Sequence, residues 1–205
     1  MEKPNAPSCE RNKAPILRIL NTIVSETKTR IGDREVQVLE VGSGTGQHAR
    51  FFADELAEVV WTPSDVKSNH SGIKSWIKDC DNQNINMPIS YEVGKDAIAE
   101  GPFDIVYAAN ILHIMGWKIC KTLMRNLGKS LESNATVVFY GPFNYHGDFT
   151  SESNRAFDQS LKSRNSSMGI RAFVDVTNAM VKNGFLLKDD HEMPANNRIL
   201  VFEKS

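Results

Sequence analysis

The strongest constraint on the fold is an alternation of short apolar runs with segments of helical periodicity. Several of the runs are apolar at successive positions, which is typical of strands buried on both faces. Strands that alternate with helices predict βαβ units, a parallel sheet and, through right-handed crossovers, helices on both faces. The predicted strands are VQVLEV (36–41), EVVWT (58–62), PISYEV (88–93), FDIVYAAN (103–110) and ATVVFYG (135–141).

The segments between the strands predict the helices. Apolar residues recur at helical spacing in the longest of them, so each is expected to bury one face. The predicted helices cover residues 14–28, 46–57, 71–80 and 116–131. A long polar stretch, 144–169, interrupts the pattern and is predicted to be a lid or substrate insertion with a short helix over 154–162.

The end of the chain departs from the alternation. GFLLKDDHEM (184–193) and RILVFEK (198–204) are strand-like, and only four residues, PANN, separate them. Parallel strands need a long crossover, so this short connection predicts an antiparallel pair. We therefore expect an α/β fold with a mostly parallel sheet that ends in an antiparallel strand, in a single domain over 1–205.

Composition narrows the classes of function. The net charge of −1 disfavours electrostatic binding to nucleic acid or to an anionic membrane. No apolar run approaches the roughly 18 residues that a membrane span requires, and the start of the chain lacks the apolar core of a secretory signal. Three widely spaced cysteines suit a reducing compartment, so we expect a cytoplasmic protein.

The most informative motif is LEVGSGTGQHA (39–49), which joins the first strand to a helix. A phosphate-binding P-loop requires Lys followed by Ser or Thr after the last glycine, whereas Gln47 and His48 stand here. The spacing G-x-G-x-G is one residue shorter than a dinucleotide fingerprint, and Glu40 would repel a pyrophosphate. A carboxylate beside the loop suits a cationic ligand, such as the sulfonium and ammonium groups of S-adenosylmethionine.

Acidic residues follow the next two strands. Asp65 ends the second strand, where a carboxylate accepts hydrogen bonds from ribose hydroxyls. This feature is compatible with NAD as well, so it indicates a nucleoside rather than one cofactor. Glu92 or Asp96, after the third strand, could meet the adenine.

These motifs together resemble the class I S-adenosylmethionine-dependent methyltransferases. The fuller set resembles one family, that which includes methyltransferase-like protein 26, over nearly the whole chain. The motifs that carry this resemblance are ERNKAPI (10–16), LEVGSGTGQHARFFA (39–53), WTPSD (61–65), NILHI (110–114), YGPF (140–143), SNRAFDQSL (153–161) and MPANNRILVF (193–202).

The resemblance implies a Rossmann-like, seven-stranded sheet with a final antiparallel strand, and it implies a site for S-adenosylmethionine, with S-adenosylhomocysteine as product. It also implies that residues 1–30 form a helical cover over the site. The family has aspartate where Glu92 stands, and it implies no particular substrate. The implied cofactor-binding residues are Asn12, Glu40, Gly42, Gly44, Thr45, Gly46, His48, Asp65, Glu92 and Asn110.

Candidates for the chemistry lie after the fourth and fifth strands, because ligands of open α/β sheets bind at the carboxyl ends of the strands. His113 is the first candidate for a general base or for orienting the substrate. Tyr140 and Asn144 are further catalytic candidates. Candidates for contact with substrate are Arg11, Tyr145, His146, Asn154, Asp158 and Asn196.

Several chemistries lack their motifs. The fourth strand is followed by AANI rather than DPPY or NPPY, so methylation of an amino group of a base or of glutamine through that motif is not indicated. No serine stands at the centre of GSGTG, so a serine-hydrolase nucleophile is not indicated either. No His, Cys or carboxylate cluster has metal-ligand spacing, so we expect no metal. The sequence predicts a methyltransferase acting on a small-molecule acceptor; a catalytically silent cofactor-binding or regulatory module and, more weakly, a dehydrogenase are the alternatives.

Overall fold

Seven strands form one sheet in the computed structural model, which describes residues 3–78, 80, 83–99 and 101–205. The strand order is β3-β2-β1-β4-β5-β9-β8. The strands are β1 (Val36–Val41), β2 (Val59–Asp65), β3 (Ile89–Ser90), β4 (Ile105–Ala109), β5 (Thr136–Gly141), β8 (Phe185–Met193) and β9 (Asn197–Lys204).

The pairing of the strands confirms the predicted fold class. β1 pairs in parallel with β2 and with β4, and β2 pairs in parallel with β3. β9 runs antiparallel to both β5 and β8. The hairpin of β8 and β9 turns through Ala195 and Asn196, which both adopt positive φ angles, of 58° and 56°.

Six helices accompany the strands in the described residues. They are α1 (Pro7–Ile31), α2 (Gln47–Glu55), α3 (His70–Ile77), α4 (Trp117–Ser130), α5 (Glu152–Arg164) and α6 (Phe173–Val181). Ser151 begins α5 as an N-cap, because its hydroxyl accepts a hydrogen bond from the Asn154 N–H at 3.1 Å. All predicted helices are present, and α1 and α5 are longer than expected. Residue 79, near the predicted end of α3, lies outside the described residues.

Three features differ from the prediction. The third strand was expected over 88–93 but spans only Ile89–Ser90. Its partner β2 ends at Asp65, which pairs with Ser90, so no further residue of β2 remains to pair with. The prediction also missed α6 and a second, two-stranded parallel sheet of β6 (Phe143–Asn144) and β7 (Arg171–Ala172).

The chain divides into two compact units. The first comprises the described residues of Met1–Glu92 with Gly101–Tyr107, and the second those of Val93–Glu100 with Ala108–Ser205. In the first, α1 buries Ile16, Leu20, Ile23 and Val24. In the second, α4 buries Cys120, Leu123, Met124 and Leu127. The single domain over 1–205 stays a prediction.

None of the helices in the described residues combines the length and the apolar character needed to cross a bilayer.

The glycine loop, residues 42–46, joins β1 to α2 in a backbone conformation that side chains disfavour. Gly44 and Gly46 have φ angles of 56° and 89°. A Cβ built on Gly46 would lie 2.8 Å from the Cα of Ile73 in α3, whereas a Cβ on Gly44 meets nothing within 4 Å. Gly46 therefore allows close packing of the loop on α3, and Gly44 leaves open space beside the loop.

We expect Gly46→Ala to lower the free energy of unfolding by about 3 kcal/mol, because backbone strain adds to a collision with Ile73. Gly44→Ala is the matched control and should cost only about 1 kcal/mol, since it carries the strain without the collision. Urea unfolding of both variants measures the difference. Equal losses would show that α3 does not constrain the loop.

Candidate functional site

The amides of the glycine loop are largely occupied by the protein itself. The N–H groups of Gly42 and Ser43 donate to the carbonyl of Ser64 at 2.9 and 3.0 Å. The N–H of Gly44 donates to Oδ2 of Asp65 at 2.7 Å. Phosphate cradles present unpaired N–H groups to the anion. These three amides are engaged, so this part of the loop is not built as a cradle for phosphate.

Glu40 places a buried carboxylate immediately before the loop. Its side chain is 2% exposed, and its Oε2 accepts a hydrogen bond from the Trp61 indole N–H at 3.1 Å. Burial raises the pKa of Glu40 to about 7; hydrogen bonds from Ser43 and Trp61 oppose the rise, and the charge of Asp65 adds to it. The carboxyl therefore titrates near neutral pH, and a positive charge beside it would favour its ionised form.

Asp65 is held in a fixed orientation at the end of β2. Besides the bond from Gly44, its Oδ1 accepts from the Val66 N–H at 2.7 Å and from the Asn69 amide at 3.0 Å. A carboxylate has about four acceptor positions, so one remains. The geometry leaves Asp65 able to accept a hydrogen bond from a ligand hydroxyl.

His48 binds other side chains of the first unit through both ring nitrogens. Nε2 lies 2.8 Å from Oδ1 of Asn12, and Nδ1 lies 3.2 Å from the hydroxyl of Tyr107. Burial lowers the pKa of His48 to about 4, so the ring is neutral at physiological pH. Asn12 and His48 therefore tie the start of α1 to α2, beside the loop.

The remaining site candidates of the first unit are less closely connected to Glu40, the glycine loop and Asp65. The hydroxyl of Thr45 donates to Oε1 of Gln47 at 3.0 Å, which holds the loop against the first residue of α2. Arg11 is exposed on α1, and Glu92 is half-buried beyond the end of β3. The structure thus brings Glu40, the glycines and Asp65 into one group.

In the second unit, Asn110 and His113 approach the same point. Asn110 has a φ of 60°, in the left-handed region that asparagine tolerates, and its N–H donates to the Tyr140 carbonyl at 2.8 Å. A Cβ built on Gly141 would lie 3.6 Å from Oδ1 of Asn110 and 3.8 Å from Nδ1 of His113. Glycine at 141 therefore leaves a small gap between these two polar atoms.

His113 is nearly buried and neutral. Its side chain is 7% exposed, and its ring packs edge-on against Phe157 with the ring centroids 5.2 Å apart. Burial lowers the pKa of His113 to about 4, and the charges of Arg171 and Arg164 lower it further. Within the described residues, its ring nitrogens make no hydrogen bond. A neutral imidazole offers one donor and one acceptor.

Tyr140, Asn144 and Tyr145 follow one another around the end of β5 in different environments. Tyr140 is 5% exposed, and Oδ1 of Asn144 is buried without a partner in the part of the chain that the structure describes. The Tyr145 hydroxyl donates to Asp190 at 2.8 Å, which together with burial raises its pKa. Asp190 in turn accepts from Arg198 at 2.8 Å, so Tyr145 is fixed to the final hairpin.

The substrate candidates in the polar stretch 144–169 and in the final hairpin mostly make hydrogen bonds and ion pairs with other residues of the protein. The side-chain amide of Asn154 donates to the Asn196 carbonyl at 3.2 Å and joins α5 to the hairpin turn. Asp158 accepts from the Ile170 N–H at 2.8 Å and pairs with Lys162 at 2.6 Å. His146 is exposed in a turn with a φ of 53°.

Sequence reasoning missed Arg171, which fixes the segment that carries His113. Its guanidinium donates to the carbonyls of Leu112 and Ser167 at 3.0 and 2.9 Å and to that of Met115. A single arginine thereby joins both ends of 112–115 to Ser167, near the end of the polar stretch 144–169. Its only signal in the sequence is its position directly after the polar stretch 144–169.

Across residues 3–78, 80, 83–99 and 101–205, no group of three or more His, Cys, Asp or Glu could hold a metal ion.

The chain is similar in structure to methyltransferases. A putative O-methyltransferase from Nostoc punctiforme superposes with a TM-score of 0.77 at 16% identity, over 93% of this chain and 56% of that one. The mitomycin 7-O-methyltransferase MmcR superposes with a TM-score of 0.74 at 12% identity, over 83% and 49%. PigF, solved with S-adenosylhomocysteine, gives 0.70 at 13% identity, over 82% and 50%.

These likenesses show a shared fold, and the chain spans about half the length of the structures it matches. A model of the family described as "Protein of unknown function (DUF938)" matches residues 3–204, which is nearly the whole sequence. The chain belongs to this family.

Proposed function

We propose that the protein is an S-adenosylmethionine-dependent methyltransferase that acts on a small-molecule acceptor. The observation that carries the proposal is the buried carboxylate of Glu40 beside a loop whose amides are already engaged. A phosphate ligand would meet an acid and few free N–H groups, whereas a cationic nucleoside would meet a carboxylate without a cationic partner. The similarity in fold to methyltransferases supports the same assignment, as does the motif-level resemblance to the family that includes methyltransferase-like protein 26.

The residues of the first unit fit such a donor. Glu40 would hold its ammonium or sulfonium charge, and the open space beside Gly44 admits the ligand close to the backbone. Asp65 retains an acceptor position for a ribose hydroxyl. Both ring nitrogens of His48 are taken by Asn12 and Tyr107, so His48 would shape the site rather than bind the donor through its ring nitrogens. Thr45, Gly42, Gly46 and Glu92 complete the proposed donor set of this unit.

When bound, S-adenosylmethionine supplies a methyl group already activated on a sulfonium. Positioning of the acceptor and exclusion of water can then provide most of the catalysis. His113 is neutral and has an unpaired ring nitrogen, so it suits the role of a hydrogen-bond acceptor that orients a nucleophile. Its lowered pKa makes it a weaker base than free imidazole, which favours orientation over full proton removal.

Binding of S-adenosylmethionine should weaken by about tenfold per pH unit below pH 7, because the Glu40 carboxyl must lose its proton to the solvent before it meets the cation. Calorimetric titration at about pH 6, in buffers of different ionisation enthalpy, should therefore detect proton release.

The matched control is Glu40→Gln, which should bind more weakly at neutral pH and release one proton fewer at pH 6. Asp54→Asn, at the end of α2, tests for unspecific charge effects and should behave like the wild type. The assignment of Glu40 would be refuted by a Gln variant with unchanged affinity, and no binding by the wild type up to millimolar donor would sink the proposed function.

His113→Ala should reduce methyl transfer from labelled donor into a metabolite extract by about a hundredfold or more, while donor affinity stays within about twofold. The reason is that the His113 ring is proposed to contact the methyl acceptor and not S-adenosylmethionine. His191→Ala, on β8, is the control. Normal turnover by the His113 variant would remove it from the mechanism, and donor binding without any turnover by the wild type would favour a regulatory module.

His113 also predicts a pH dependence of stability that needs no substrate. Its pKa is about 4 when folded and near 6.5 when unfolded, so the unfolded state binds more protons between these values. Stability should therefore fall as the pH drops from 6.5 to 4, by up to about 3 kcal/mol from this group. His113→Phe should flatten the urea-unfolding profile over that window. An unchanged profile would show that the ring is not held neutral.

A further inference from the structure

The gap above Gly141 is bordered by polar atoms that have no partner. Oδ1 of Asn110 and Nδ1 of His113 lie 3.6 and 3.8 Å from the position of a built Cβ, and neither side chain hydrogen-bonds to a described residue. His113 is 7% exposed, so a ligand that donates to its ring nitrogen would add a hydrogen bond in a largely buried place, where the described residues supply none.

Both polar atoms can act as acceptors at once. Oδ1 of Asn110 is an amide oxygen and accepts only, and Nδ1 of His113 accepts when the proton resides on Nε2. The backbone of Asn110 is in the left-handed region and is anchored by its N–H on the Tyr140 carbonyl, which fixes the point from which the side chain extends. The gap is therefore suited to a hydrogen-bond donor that is about the size of one heavy atom.

The charges around the gap disfavour an ionised ligand. Arg171 and Arg164 act on His113 and would repel an ammonium group. Arg171 already donates to three carbonyls, so it is not free to bind a carboxylate. The carboxylate of Asp158 is taken by Lys162 and the Ile170 N–H. A hydroxyl group can donate a hydrogen bond without carrying a charge, so it is neither repelled by the two arginines nor in need of a free cation.

The surface beside His113 is apolar. Phe157, which packs against the His113 ring, is 37% exposed, and Ile114 is 46% exposed. Exposed apolar side chains next to an unpaired polar pair are typical of sites that bind an apolar body through a few polar groups.

We propose that the second unit binds an uncharged, apolar molecule through a single hydroxyl, which sits above Gly141 and donates to His113 Nδ1 or Asn110 Oδ1. This inference rests on the proposed function, because it names the class of acceptor that would be methylated. Glycine at 141 is thereby a specificity-determining residue, since any side chain would occupy the place of the hydroxyl.

The test is a binding experiment without donor. 2-Naphthol should bind about tenfold more tightly than 2-methoxynaphthalene, in which the O–H is capped, and more tightly than naphthalene-2-carboxylate or 2-naphthylmethylammonium. In NMR spectra of protein with ¹⁵N-labelled histidine, naphthol should shift the ring resonances of His113. His113→Phe and Asn110→Gly should reduce the preference for the hydroxyl, and Asn110→Asp, which keeps an acceptor, should retain it.

His191→Phe serves as the matched control and should bind all four probes like the wild type. Thermal unfolding confirms that each variant is folded before it is scored. Equal binding of naphthol and its methyl ether, tightest binding of a charged probe, or no naphthol binding up to millimolar concentration would each overturn the inference. Naphthol preference in a protein that does not bind S-adenosylmethionine would instead refute the proposed function alone.

Discussion

The first unit depends on the parallel pairing of β1 with β2 and on its continuation beyond the last residue of β1. Val41 pairs with Ser64, and the next two amides, of Gly42 and Ser43, donate to the Ser64 carbonyl. This register places Asp65 where its carboxylate accepts the Gly44 N–H. The position of the loop, the orientation of Asp65 and the turn into α2 therefore follow from one set of backbone hydrogen bonds.

The same register explains why the loop favours one charge on its ligand. A glycine-rich turn can bind an anion only through free amides, and here backbone and Asp65 oxygens occupy those of Gly42, Ser43 and Gly44. Instead, two acidic side chains border the turn: Glu40 precedes it, and Asp65 accepts the Gly44 N–H. Burial of Glu40 against Trp61 makes its charge costly in the absence of a ligand. The site therefore gains most from a ligand that brings a positive charge.

Much of the fold and the grouping of Glu40, the glycines and Asp65 could be predicted from the sequence, because both leave local patterns. Buried parallel strands read as continuous apolar runs, and the four-residue link before β9 permits only a hairpin. Glu40, the glycines and Asp65 lie within 30 positions of one another in recognisable spacing. By contrast, β3 ends where β2 stops pairing, and β6 and β7 consist of two residues each. The lengths of these short strands are set by partner strands that are distant in the sequence, so they leave no periodic pattern of apolar residues.

The second unit shows why candidate residues are easier to name than their roles. His113, Asn154 and Asp158 were predicted as site residues because they are polar and lie near the end of a strand or in the predicted lid. In the structure, however, Asn154 donates to the Asn196 carbonyl, and Asp158 accepts from the Ile170 N–H. Only the three-dimensional structure shows that Arg171 fixes the His113 segment and that, among the described residues, the side chains of His113 and Asn110 have no hydrogen-bond partner. Polar side chains that are satisfied within the protein stabilise it, whereas acceptors that the protein leaves without a donor remain open to a ligand. We therefore propose that the two units select ligands of opposite character: the first a cation, which would neutralise the buried Glu40 carboxyl, and the second an uncharged hydroxyl, which would donate to His113 or Asn110.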